Sequence, residues 1–148
     1  MLSFVKLSLV LLFSIQLTAQ KQVIKSDSLA IVSKLFKQQE DWNKGDIDAF
    51  MEGYLKSNQL VFSGSSGPIY GWKATKERYE KNYSSRLLMG SLTFDVLNLI
   101  SLSPSVVQLQ GKFYLKREIQ DSSGFFTLTW LNVDGNWLII SDHTSSSD

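Results

Sequence analysis

A proton-transfer reading of this chain starts at His143, its single histidine and the one side-chain type that titrates near neutrality without help from its surroundings. The competing role is structural: a histidine ending a strand, held by a backbone hydrogen bond. Arg117 is the second candidate. Facing a pocket, its guanidinium binds an anion bidentately; at a solvent rim beside Lys116 and Glu118 it is merely hydrated. Ser, His and Asp all occur, but no Gly-x-Ser-x-Gly elbow presents a nucleophile, and Gly64-Ser65-Ser66-Gly67 reads as a turn.

The composition excludes more chemistry than it suggests. The absence of Cys removes disulfides, thiolate metal sites, iron–sulfur clusters and cysteine nucleophiles together. A single His cannot build a multi-histidine metal centre, and no phosphate loop or dinucleotide fingerprint occurs. The sequence therefore calls for no cofactor and no metal. With 15 Lys and Arg against 14 Asp and Glu, there is no basic excess of the kind that binds nucleic-acid phosphates.

The groups named above must be positioned by local structure. Leu29, Val32, Leu35, Phe36, Gln39 and Trp42 follow helical spacing over residues 26–44, with Asp27 or Ser28 as cap and Gly45 as the stop. Asp46 caps a shorter helix at 47–55. A strand at 60–63, a Gly/Ser/Pro turn and the pair Ile69-Tyr70 come next. A third helix at 72–84 then aligns Trp72, Thr75, Tyr79 and Tyr83 on one side, opposite Lys73, Lys76, Glu77, Glu80 and Lys81.

The remainder alternates with period two. Strands are predicted at 92–102, 106–119, 125–133 and 136–143, the last two joined by the hairpin signal Asp134-Gly135. Strands about twice the usual ~5–6 residues must bend, and Gly111 marks a bend or bulge. Helices followed by a long antiparallel meander give an α+β domain, with the N-terminal helices packed in the concave face of a strongly curved sheet.

Strand parity selects the inward residues. With Trp137 inward, Ile139, Ser141 and His143 follow and Asp142 turns away. Phe113, Leu115 and Arg117 share one face of their strand with Leu109, as do Phe126, Leu128 and Trp130 of the next. Trp42, Tyr54, Tyr79 and Tyr83 close the hollow from the helices. The expected ligand set is Trp42, Tyr54, Tyr83, Phe113, Arg117, Trp130 and His143, with His143 as acid–base residue. Such an aromatic hollow suits a small apolar or aromatic molecule, and the same residues also suit a filled core.

Residues 1–19 read as an export leader, with Lys6 before an apolar stretch at 7–17 and Leu17-Thr18-Ala19 ahead of a cut before Gln20. The apolar run is about half of what a membrane span needs. The expectation is a bacterial periplasmic or secreted chain, free of the membrane once cleaved, with a short extension at 20–27 and one domain over 28–146.

Three strings carry a family resemblance: Trp42-Asn43-Lys44-Gly45-Asp46-Ile47-Asp48-Ala49-Phe50 at the helix junction, Gly71 opening the third helix, and the ending Asp134-Gly135-Asn136-Trp137-Leu138-Ile139-Ile140-Ser141-Asp142-His143-Thr144-Ser145. In order and spacing the chain resembles the nuclear transport factor 2-like superfamily, the cone (cystatin-like roll) shared with ketosteroid isomerase and SnoaL-type cyclases, and most of all its exported bacterial members. The resemblance implies the cone, with Trp137 plugging one end, and a homodimer through the outer sheet face. Gln108, Gln110, Lys112, Tyr114, Lys116, Thr127, Thr129 and Leu131 lie on that face. It implies no single activity, because the fold hosts many. Ketosteroid isomerase-type chemistry needs an Asp over an apolar pocket, and Asp95 has the wrong parity. The functional expectation is an exported small-molecule-binding or interaction module; the alternative is a cofactor-independent isomerase, dehydratase or cyclase.

Overall fold

The computed structural model describes residues 22–147, so the predicted leader lies outside the described residues. The order of elements is α1 (Lys25–Lys44), α2 (Ile47–Met51), β1 (Val61–Gly64), β2 (Gly67–Tyr70), α3 (Trp72–Asn82), α4 (Arg86–Met89), β3 (Ser91–Ser103), β4 (Val106–Lys116), β5 (Ser122–Val133) and β6 (Asn136–Ser147). The strands form one six-stranded sheet in the order β2-β1-β6-β5-β4-β3. Neighbours run antiparallel except β1 and β6, which are parallel. This is the α+β architecture predicted from the pattern of helices and strands.

The helix junction forms as its sequence dictates. Gly45 takes a left-handed conformation (φ +83°) that ends α1, and the Asp46 carboxylate accepts the Ala49 N–H at 2.9 Å to start α2. The buried stripe of α1 differs from the predicted one. Ile31, Leu35, Gln38, Asp41 and Trp42 face inward, while Leu29 is 61% and Phe36 38% exposed. Two polar residues belong to the buried face, and a search for apolar periodicity passes over them. Gln38 donates to the Phe50 carbonyl at 3.0 Å, and Asp41 pairs with Lys37.

Helix α1 also docks on the outermost strand. Asn43 donates to the Leu92 carbonyl at 2.9 Å and accepts the Leu92 N–H at 2.7 Å. One turn earlier, Gln39 accepts the Phe94 N–H at 2.6 Å. The Trp42 indole donates to the Met89 carbonyl at 3.0 Å. The Trp-Asn string thus ties helix to sheet. The single turn α4 and the start of β5 at Ser122 depart from the predicted pattern. Arg117 and Asp121 close the β4–β5 loop, the backbone N–H of Arg117 donating to the Asp121 carboxylate at 2.8 Å, and this shifts the turn toward residue 117.

Of three register shifts in the sheet, at Leu97 and Leu102 in β3 and at Ile140 in β6, two bear on the site. Leu97 is extra in β3, where Val96 pairs with Gly111 and Asn98 with Gln110. The irregularity expected at Gly111 therefore sits on its partner strand. Gly111 itself is covered by a ring: a Cβ there would lie 2.3 Å from Phe126 Cζ. The second bulge is Ile140 in β6, since Thr129 pairs with Ser141 while Trp130 pairs with Ile139. An extra residue reverses side-chain parity beyond it. Trp137 and Ile139 are buried before the bulge and Asp142 after it; His143 is exposed. The inward placement predicted for His143 is corrected here: the period-two count runs through Ile140 as though the ladder were regular.

Replacing Gly111 by Ala drives a methyl group into the Phe126 ring. Stability should fall by about 1–3 kcal/mol, measured as a lower urea midpoint with an unchanged slope.

Candidate functional site

Between the helices and the inner face of β3–β6 lies a cavity of about 150 Å3. Its deep wall is aromatic. Trp42 meets Phe50 edge-on at 5.3 Å and Tyr83 at 4.7 Å, and Phe50 meets Tyr79 at 5.2 Å between ring centroids. Each such pair adds about 0.5–1.5 kcal/mol beyond simple burial, which makes this wall a fixed surface.

One polar group breaks the apolar lining at depth. Asp142, 3% exposed, accepts the Tyr54 hydroxyl at 2.7 Å on one carboxyl oxygen and the Thr144 hydroxyl at 2.7 Å on the other. The Tyr54 and Tyr79 hydroxyls are 3.4 Å apart. Backbone pairing places Tyr54: the Leu55 N–H donates to the Ile139 carbonyl and the Ile139 N–H to the Gly53 carbonyl, each at 2.9 Å. Thr144 follows Asp142 by two residues and so shares its face of β6.

Burial pushes the Asp142 carboxyl above the usual carboxylate range; the Thr144 and Tyr54 hydrogen bonds and the Arg78 charge offset this only in part. Burial, then the Asp142 charge, holds the Tyr54 hydroxyl well above its ordinary range, and Tyr79 is raised for the same leading reasons. Both phenols are therefore proton donors in hydrogen bonds, and the carboxyl is the group that can exchange a proton. Described residues contain no cluster of three or more His, Cys, Asp or Glu that would hold a metal ion.

Of the residues named from sequence, Trp42, Tyr54, Tyr83, Phe113 and Arg117 line this cavity. Trp130 does not. It is fully buried and fills the core. His143 lies on the outer face, opposite Thr127 in the sheet, and its neighbour Asp142 is the residue that faces the cavity. Asp95 is exposed opposite Lys112. Sequence reasoning missed Asp142, Thr144 and Arg78. The apolar triplet Leu138-Ile139-Ile140 was the available sign that period two fails there. Arg78 follows buried Thr75 by three residues and precedes buried Tyr79, a spacing that puts it at the edge of the inward face.

Asp142 should also set part of the stability's pH dependence. Unfolded, it loses its proton near the ordinary value of 3.8; folded, it keeps it to higher pH. Between those points the native state binds more protons, so stability falls as pH rises from about 4 through the folded-state pKa. Asp142→Asn should remove that fall, read as the difference between wild-type and variant urea midpoints across the interval.

No protein-family model matches the chain, and no curated protein matches it. Solved structures do. A ketosteroid isomerase-like protein from Erwinia carotovora is 12% identical with a TM-score of 0.70, over 84% of this chain and 99% of that one. A scytalone dehydratase-like protein from Novosphingobium aromaticivorans is 14% identical with a TM-score of 0.70, over 83% and 85%. Those two establish the fold alone. An NTF2-like protein of unknown function from Shewanella oneidensis is 35% identical, with a TM-score of 0.77, over 80% of this chain and 98% of that one. With that identity along nearly the whole of the Shewanella protein, this chain belongs to the NTF2-like family.

Proposed function

We propose that the cavity binds one planar ring and orients it through a hydroxyl or carbonyl group hydrogen-bonded to Asp142. The observation carrying this reading is the hydrogen-bonded carboxyl at the bottom of an otherwise aromatic cavity. An apolar cavity of about 150 Å3 admits a molecule the size of benzene, so the enclosed space suits a single ring and a larger ligand must protrude. Ligands of so few atoms bind in the roughly millimolar to micromolar range.

Phenol and toluene separate polar recognition from simple filling. A site built to hydrogen-bond a hydroxyl discriminates against the analogue lacking it. Phenol should quench tryptophan emission saturably and bind about tenfold tighter than toluene. In Asp142→Leu, which keeps the branched shape and removes the polar atoms, that preference should vanish while toluene still binds. Equal binding of the two by wild type, or no saturable binding of either, defeats the proposal.

A second reading, a cofactor-independent isomerase or dehydratase, is favoured by the upward-shifted Asp142 carboxyl held in place by Tyr54 and Thr144. An oriented carboxyl in an apolar site is suited to take a proton from a bound carbon acid and return it. The ketosteroid isomerase-like neighbour supports this at the level of fold. A cyclic enone incubated with the protein in deuterated water should acquire deuterium at its acidic carbon, and Asp142→Asn should abolish exchange while retaining binding. Wild-type exchange no faster than in buffer decides for the binding module.

A further inference from the structure

The mouth of the same cavity is chemically unlike its depth. Arg78 and Arg117 line it, both half-buried, together with Ser65, Ser122 and Ser146. The Arg78 guanidinium carbon sits over the Phe62 ring, 4.3 Å from its centroid, and 5.7 Å from that of Tyr79. Gly64 lies beside it, a position from which a Cβ would meet an Arg78 terminal nitrogen at 3.5 Å. On the same helix, Lys76 pairs with Asp48 and Glu80, and Lys73 with Glu77. Arg78 makes no hydrogen bond or ion pair among the described residues. Arg117 commits its Nε to the Gln120 carbonyl at 2.8 Å, which orients the fork and leaves its terminal nitrogens uncommitted.

Among the described residues Asp142 is the only acid in the lining. Two guanidiniums therefore face a cavity whose one carboxyl is deep and is held by one hydroxyl on each oxygen, from Tyr54 and Thr144. A half-buried cation stacked on a ring, with its donors unfilled, is a receptor for an anion.

We infer that the ligand of this cavity is a ring bearing a carboxylate, which Arg78 receives at the mouth with Arg117 beside it. The inference rests on the ring-binding reading above and names the chemical class of the ligand. A carboxylate conjugated to a ring lies in the ring plane, so a ring held in the aromatic slot presents two coplanar oxygens to a planar guanidinium fork. With the carboxylate at the mouth, the opposite end of the ring points toward Asp142, which favours a hydroxyl or carbonyl there.

The probes are 4-hydroxybenzoate and its neutral counterpart 4-hydroxybenzyl alcohol, titrated calorimetrically into the wild-type chain at pH 7. The carboxylate should bind about tenfold tighter or better, as expected for a hydrogen-bonded ionic pair. In Arg78→Met, which keeps the apolar stem over Phe62, the two affinities should converge to within about twofold. Arg78→Gln, which keeps a polar side chain and removes the charge, should bring the two affinities together in the same way. Should Arg78→Met fail to fold, Arg78→Gln decides. Alcohol binding without a carboxylate preference overturns the inference and leaves the ring-binding reading standing. A preference that survives in every folded variant also overturns it. If neither probe binds, both fall.

Discussion

The cavity depends on one extra residue. Ile140 occupies a position in β6 that has no counterpart on β5, and it lies where β6 changes partners on its other side. Up to Ile139 that side is hydrogen-bonded by the segment around Tyr54; from Ser141 onward it is paired in parallel by β1. The handover needs a strand that kinks, and the kink turns Asp142 inward beside Tyr54. Without the bulge, regular alternation would face the cavity with the His143 imidazole. With it, the cavity holds a carboxyl whose proton affinity is set by the surrounding apolar wall.

Opposing effects meet at that carboxyl. Two hydroxyl donors and a distant guanidinium favour the charged form, and loss of water disfavours it. Desolvation is the larger influence, because the aromatic lining offers no dipole to replace hydration. The aromatic wall thereby tunes the only acid in the cavity as well as shaping the space. Gly111 contributes at a distance. Its missing side chain lets Phe126 lie against the strand, and Phe126 is itself part of the lining.

Most of the fold was legible because it is carried by periodic signals. The helix stop at Gly45, the cap at Asp46 and the Asp134-Gly135 hairpin act locally, and the long strands alternate clearly. The site was less so. Trp42 and Tyr83 could be placed because large aromatics at helix ends facing a sheet are drawn inward by burial alone; Tyr54, predicted on a helix over 47–55, lies beyond α2, which ends at Met51, and is held instead by its bridge to Ile139. Trp130 obeyed the same parity yet sits under the core, since parity gives a face and not a depth. Asp142 and His143 lie on the faces opposite to those predicted because a bulge is a property of two strands together, and β6 read alone does not reveal where β5 skips a residue. Gln38 and Asp41 were invisible for a different reason: their burial depends on the hydrogen bonds they make after folding. Arg78 was obscured by its charged neighbours Lys76, Glu77 and Glu80.

The contact of Asn43 and Gln39 with β3 bears on how copies of this protein meet. An exposed outer strand is a template for cross-chain sheet growth and aggregation. Here two side-chain amides on successive helical turns take up the Leu92 and Phe94 groups that a foreign strand would seek. At the opposite margin, β2 is only four residues long and includes Pro68, which has no N–H to offer. One margin is partly occupied and the other is short and blunted, so both ends of the sheet are poor templates for a strand from another copy.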